Sequence, residues 1–257
     1  MQFSHRVAAG DRLLGTFVKT PHHAVIEALA GGGLDFVILD AEHAPFGLAE
    51  VDRCLLAARA GGLPALVRLT EARPADILRV LDLGADGFLA PHVTTAAQAR
   101  GILAAARYGA GGRGYSATTR AGRYGRIGMA EHLAASTEVF VVLQIEDPEG
   151  VEAVEEIAAL PGIGALFVGR ADLAAAYGAT SLDAPEVGAA YDRVAAACAE
   201  ARIPLATFVP SMADAPAWFD RRAQLVAVAS EHAAMQTFFS PGAVAEAKRP
   251  QGCDAAP

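Results

Sequence analysis

Short apolar runs alternate with amphipathic stretches along most of the chain. Phe36-Val37-Ile38-Leu39 is the clearest run: continuous, preceded by glycines and followed at once by Asp40, Glu42 and His43. A strand buried on both faces of a parallel sheet reads this way. Similar runs stand at 13–19, 65–69, 87–91, 139–145, 165–168, 205–209 and 225–229. Between them the spacing predicts helices over 24–30, 47–60, 75–83, 96–107, 151–160, 185–201 and 213–219. Shorter helices are expected at 127–135, 173–177 and 243–248. Eight βα units at this length predict one closed (β/α)8 TIM barrel over residues 1–257, ahead of an open doubly wound sheet. Residues 250–257 read as a frayed tail.

Composition narrows the class. At 53% hydrophobic, 257 residues bury a sizeable core. A net charge of −8 argues against nucleic acid and anionic membrane as partners. No apolar run is long enough to span a bilayer, and Met1–Arg6 carries no apolar leader segment. Cys54, Cys198 and Cys253 share no metal-type spacing, and a reducing cytoplasm is the simplest compartment. Lys19 and Lys248 are the only lysines.

In a barrel the C-terminal strand ends form one mouth. The expected ends bring together Asp40, Glu42, His43, Arg68, His92, Gln144, Glu146 and Asp172. Any one of these can be an ordinary helix cap or a satisfied loop residue; the recurrence at successive strand ends favours chemistry. Glu146 and Asp172 form a hard-oxygen pair suited to Mg²⁺ or Mn²⁺. Arg68 is the only charge on its strand and is placed to hold a carboxylate or an enolate, or else to pair with a neighbouring acid. His43 suits acid/base work if Asp40 or Asp82 orients it. His22-His23 reads as surface. The glycine-dense stretch 109–125, with Arg113, Arg120 and Arg123, follows no strand and has no GK[ST] ending, so a phosphate loop is disfavoured. An active-site lid carrying arginines is the expectation there.

Leu39-Asp40-Ala41-Glu42-His43-Ala44-Pro45 resembles the D-x-E-H-x-P motif of the HpcH/HpaI aldolase family. Val67-Arg68, Val80–Ala85, Arg113–Ser116 with Thr119–Ala121, Gln144-Ile145-Glu146 and Phe167–Leu173 are similar to that family in order and spacing, from about Gly15 to Ala229. The resemblance implies a barrel of the phosphoenolpyruvate/pyruvate-binding type and a class II aldolase. Its expected substrates are a small 2-oxo acid, pyruvate or hydroxypyruvate, and an aldehyde. It further implies a divalent metal (Mg²⁺, Mn²⁺ or Co²⁺) on Glu146 and Asp172, with the substrate carboxylate steadied near Gly169, Ala171 and Gln144. Arg68 would stabilise the enolate. His43 would act through water, oriented by Asp82 or Asp40. Phe17, Phe208 and Val209 would line the aldehyde side, and a homohexamer built as a dimer of trimers is expected.

The sequence departs from that pattern at Arg170, where proline is usual, at His92, where an apolar residue is common, and at Ser230-Glu231, where glycine and aspartate are usual. Three alternatives stand beside the main reading. They are a class I aldolase using Lys19, an acyl-CoA thioester lyase of the citrate/malyl-CoA type, and a non-catalytic barrel that binds oxo acids.

Overall fold

A computed structural model describes residues 3–249. Strands β1 (Leu13–Val18), β2 (Phe36–Asp40), β3 (Ala65–Arg68), β4 (Gly87–Ala90), β5 (Phe140–Ile145), β6 (Ala165–Val168), β7 (Leu205–Val209) and β8 (Leu225–Ser230) pair in parallel in that order, and β8 closes on β1. Around them run α1 (Phe3–Ala8), α2 (His23–Ala30), α3 (Leu48–Gly61), α4 (Pro74–Asp82), α5 (Ala96–Ala105) and α6 (Met129–Ala135). After β5 come α7 (Pro148–Glu152), α8 (Val154–Ala158), α9 (Arg170–Ala176), α10 (Pro185–Ala201), α11 (Ala215–Asp220), α12 (Glu231–Phe238) and α13 (Pro241–Ala247). The closed (β/α)8 barrel is the fold expected from the sequence. No described helix is long and apolar enough to cross a membrane.

Two apolar layers follow from the period of two along each strand. Phe36, Ile38, Leu66, Leu89, Val142, Phe167, Ala206 and Ala227 fill the barrel interior. Val37, Leu39, Val67, Val141, Leu143 and Val168 pack outward with the helices. Phe3 and Val7 of α1, a helix the sequence reading left out, join the interior layer, and Phe3 meets Phe140 edge-on at 5.0 Å. The same alternation makes Lys19, Asp40, Arg68, Gln144, Glu146 and Phe208 the next inward positions at the strand C-termini. Val209 is consequently turned outward: it is fully buried in the helix-facing layer, and the expectation that it lines the aldehyde side is corrected.

Three further expectations change. The helix expected over 151–160 starts earlier, at Pro148 behind Asp147, and breaks at Ala153 (φ −93, ψ 5) into α7 and α8. α12 follows β8 directly and was not anticipated. The stretch 109–125 is not an active-site lid within this chain. It joins the C-terminal end of α5 to the start of β5, so it lies at the opposite end of the barrel from the strand C-termini. There Arg120 donates to the Leu83 carbonyl and pairs with Asp52, and Arg113 is buried against Tyr108 and 3.6 Å from Asp82. The tail 250–257 lies outside the described residues.

β4 approaches β5 closely at Gly87, which pairs with Phe140. A Cβ on Gly87 would run into the carbonyl of Phe140, a backbone atom that cannot swing aside. Gly87→Ala is expected to destabilise the fold by on the order of 2–3 kcal/mol, as overpacking does. Calorimetry reads this as a thermal midpoint lowered by several degrees, and an unchanged midpoint would contradict the close approach.

Candidate active site

Asp40 is the most buried charge at the mouth, with no exposed surface. It takes a two-pronged bond from Arg68, Nε to Oδ1 at 2.9 Å and Nη2 to Oδ2 at 2.7 Å. Lys19 Nζ stands 3.2 Å from Oδ2, and the His43 backbone N–H donates to Oδ1 at 3.1 Å. Burial alone would raise the Asp40 pKa; the Arg68 fork outweighs it and holds the carboxyl below its ordinary value. The guanidinium lies 4.7 Å over the Phe17 ring, and its Nη1 is 3.3 Å from Glu42 Oε2. Arg68 is thus locked in one orientation with one edge toward the cavity.

Neither acid proposed to orient the His43 ring does so within this chain. Asp40 is committed to Arg68 and Lys19 and meets His43 only through the backbone. Asp82 is the last residue of α4, at the far end of the barrel beside Arg113, because α4 runs antiparallel to the strands. Burial raises its pKa against the Arg113 charge, and its Oδ1 has no hydrogen-bond partner. The His43 ring is half exposed, with Nε2 3.7 Å from Glu42 Oε2.

A second group converges beside the first. Ligand atoms of Glu42, His92 and Glu146 lie within 4.8 Å of one another. The His92 backbone N–H donates to Glu146 Oε1 at 2.8 Å, and the Gln144 amide holds Glu146 Oε2. This packing requires glycine at 169: a Cβ there would stand 2.6 Å from the Glu146 Cβ and 2.9 Å from Gln144 Nε2. Burial pushes the Glu146 pKa up to about 7, helped by the nearby Asp172 and Glu42 charges and opposed by His92. Burial likewise raises Glu42. Two carboxylates raised by burial and converging with an imidazole suit a divalent cation.

Lys19, His43, Arg68, Gln144, Gly169, Ala171, Asp172, Phe17 and Phe208 line one open cavity of about 370 Å³. A larger hollow of about 510 Å³ lies at the other end, between the β3–β5 starts and the glycine-rich stretch, away from this group. The cavity has two sides. Gln144, Gly169, Ala171 and Asp172 form the β5–β6 side; Phe17, Phe208, Pro210, Ala229 and Ala233 form a largely apolar β7–β8–β1 side.

The departures from the motif have visible roles. Arg170 is buried, stacks 3.7 Å over the Trp218 ring and donates to the Phe208 carbonyl at 3.0 Å, tying α9 to the end of β7. Ser230 Oγ caps α12. Glu231 accepts from the Lys19 and Thr20 N–H groups at 2.6–3.0 Å, fastening the β1 end to the β8 end. His22 caps α2, and its ring stacks on His23, as a surface pair would. The convergence of Glu42 with His92 and Glu146, Asp147 as the partner of His92 and Glu231 as a clamp went unassigned in the sequence reading. Alternation gives a signal for Glu42, two residues beyond inward Asp40; nothing local marks Glu231.

A parallel eight-stranded barrel with acids, an arginine and histidines at its strand C-termini defines a barrel enzyme. Residues 13–237 match the HpcH/HpaI aldolase/citrate lyase family, and the chain belongs to it. It is similar to a 5-keto-4-deoxy-D-glucarate aldolase of Klebsiella pneumoniae subsp. pneumoniae, 34% identical over 233 residues and 90% of each chain. It also resembles a hydroxypyruvate/pyruvate aldolase of Sagittula stellata, 36% identical over 74% of this chain and 75% of the relative. A crystal structure of an HpcH/HpaI aldolase/citrate lyase family protein from Burkholderia cenocepacia J2315 superposes with a TM-score of 0.90 at 30% identity, covering 96% of this chain and 98% of that one. The chain is accordingly a carbon–carbon lyase of the class II aldolase type.

The raised Glu146 pKa carries a sign for stability. The folded protein binds more protons than the unfolded chain between about pH 4.5 and 7, so without a cation this group makes stability fall as pH rises through that window. Glu146→Gln removes the effect. In EDTA the variant is expected to exceed the parent at pH 8 by on the order of 2 kcal/mol and to match it near pH 5. Urea unfolding at the two pH values measures this; a gap that does not grow with pH would contradict the burial argument.

Proposed function

We propose that this aldolase makes and cleaves 4-hydroxy-2-oxo acids, with pyruvate or hydroxypyruvate as the nucleophilic half and an aldehyde as the other. The observation that carries the reading is buried, hard-to-ionise Glu146 beside a fixed Arg68 at one mouth. Glu146 with Asp172, and Glu42 at the facing edge, are the residues that would hold a divalent cation such as Mg²⁺, Mn²⁺ or Co²⁺. When bound, that cation supplies Lewis-acid polarisation of the 2-oxo group. Backbone N–H groups near Ala171, at the start of α9, suit the substrate carboxylate. Gln144 and Gly169 complete the floor of this side.

Arg68 contributes positive charge where the enolate oxygen develops, and its Asp40 fork spares it any reorganisation during the reaction. His43, half exposed at the rim, moves the proton of the hydroxyl that is broken or formed, through a water. Phe17 and Phe208 receive the aldehyde. Lys19 is an unsuitable Schiff-base nucleophile: its ammonium is ion-paired to Asp40.

The resemblance orients His43 by Asp82 or Asp40; Asp40 is engaged by Arg68 and Lys19, and His43 and Asp82 lie at opposite ends of one barrel. Their pairing therefore requires a second copy of the chain, which accords with a homohexamer built as a dimer of trimers. Met235, Phe238, Phe239 and Val244 on and beside α12 and α13 are exposed apolar surface that such an assembly would cover. Buried, free Cys54 and Cys198, with thiols pushed up to about 11 and about 12 by burial, are consistent with a cytoplasmic setting.

Pyruvate release from a 4-hydroxy-2-oxo acid is expected to stop in EDTA, to return with Mg²⁺, Mn²⁺ or Co²⁺, and to be lost by at least about a hundredfold in Glu146→Ala. Cleavage that survives EDTA and is trapped by borohydride would instead place the chemistry on Lys19. A second experiment tests the shared site. His43→Asn and Asp82→Asn, each inactive alone, are expected to regain about a quarter of parental activity when co-assembled at equal amounts, as residues meeting across a subunit contact do. No regain in mixed oligomers would mean that the two act in separate places.

A further inference from the structure

His92 is held more firmly than a loop histidine requires. Its backbone sits in the left-handed region at φ 52, where a residue with a Cβ is disfavoured. Three bonds fix it there. Its N–H donates to Glu146 Oε1 at 2.8 Å, its carbonyl accepts from Gln98 Nε2 at 2.9 Å, and its ring Nδ1 meets Asp147 Oδ2 at 3.0 Å. The Gln98 side chain is itself braced by the Thr94 N–H. All of this aims an imidazole between two carboxylates that are at least nine-tenths buried.

With Asp147 accepting from Nδ1–H, the tautomer leaves the Nε2 lone pair free, in the carboxylate–histidine arrangement that orients metal-binding imidazoles. Nε2 is 3.7 Å from Glu42 Oε1, while Nδ1, the nitrogen held by Asp147, is the ring atom 3.5 Å from Glu146 Oε1. Two ligands of one ion with bonds of about 2.1 Å are separated by about 3.0 Å when adjacent and about 4.2 Å when opposite. The Nε2–Oε1 separation falls between. Glu42 Oε2, buried in this group, accepts no hydrogen bond and is faced by the Arg68 guanidinium at 3.3 Å, which leaves Oε1 for the cation.

We propose that His92 is a nitrogen ligand of the catalytic cation, adding one imidazole, converged with Glu42 and Glu146, to the carboxylate donors Glu146, Asp172 and Glu42 assigned above. The inference rests on the metal-dependent aldolase reading above and adds the selectivity of the site. An all-oxygen set suits Mg²⁺; one imidazole shifts preference toward Co²⁺, Ni²⁺ and Zn²⁺ along the order of increasing nitrogen affinity. Asp147 is the positioning residue that fixes the ring.

Calorimetric titration of the metal-stripped protein with Mg²⁺ and with Co²⁺, and pulsed electron paramagnetic resonance of the Mn²⁺ form, test this directly. His92→Gly removes the ring and relaxes the left-handed backbone, so folding is not at risk; His92→Leu supplies an apolar side chain of similar bulk. Both variants are expected to bind Co²⁺ at least tenfold more weakly, to keep Mg²⁺ affinity within threefold and to lose the imidazole ¹⁴N modulation. Free imidazole is expected to restore that modulation in His92→Gly. Asp147→Asn is expected to give a smaller loss in Co²⁺ affinity of the same sign. Unchanged Co²⁺ affinity with no ¹⁴N signal in the parent would overturn the proposal and leave the aldolase reading intact, provided Glu146→Gln abolishes binding. A parent that binds none of the three ions and cleaves substrate in EDTA would overturn both.

Discussion

The mouth of this barrel depends on one buried ion pair. Asp40 and Arg68 end adjacent parallel strands, in register with each other, so their side chains meet inside the barrel just above its last apolar layer. Removing two charges from water is costly and is offset only when geometry is close to ideal and the remaining lone pairs are satisfied. Here the fork is complete, and the spare capacity of Asp40 is taken by the His43 N–H and the Lys19 ammonium. The turn carrying Glu42 and His43 hangs from that carboxylate. Arg68 in turn reaches Glu42 with its third nitrogen. The pair is therefore a frame for the reactive groups as much as a member of them.

Much of this was legible in the chain. The eight apolar runs set the strands to within a residue or two, because a strand covered on both faces tolerates few polar positions. The acids, arginine and histidine following those runs had to share an edge once the barrel closed. Period-two alternation, applied residue by residue, would also have turned Val209 outward and Phe208 inward. The misplacement of 109–125 has a different origin. Glycine and arginine content describes what a loop is made of, whereas its end of the barrel is fixed by whether it follows a helix or a strand. This loop follows a helix. The place of Asp82 was hidden for the same reason: it ends a helix that runs back down the barrel, so within one chain it lies away from His43.

Contacts between residues far apart in sequence were the least legible. Glu231 touches Lys19 and Thr20 across the barrel's closing seam, and neither side carries a local signature of the other. The partnership of His92 with Asp147, on neighbouring loops, is of the same kind. Arg170 shows how a motif departure can be absorbed. A cation where proline is usual finds an indole face and a carbonyl on the adjacent unit, at the edge of the cavity it helps to line.

The Glu231 clamp bears on how the protein comes into being. Its hydrogen bonds join residues 212 positions apart in the chain, so the β8–β1 seam cannot close until the chain has been made as far as Glu231. A nascent chain that stops short of Glu231 already carries Asp40, Arg68, Glu146 and Asp172, yet the Lys19 and Thr20 N–H groups lack their carboxylate acceptor. Closure of the active-site rim is thereby coupled to synthesis of β8 and Glu231, and a product cut before Glu231 keeps the chemical groups of an aldolase without the closed rim that presents them.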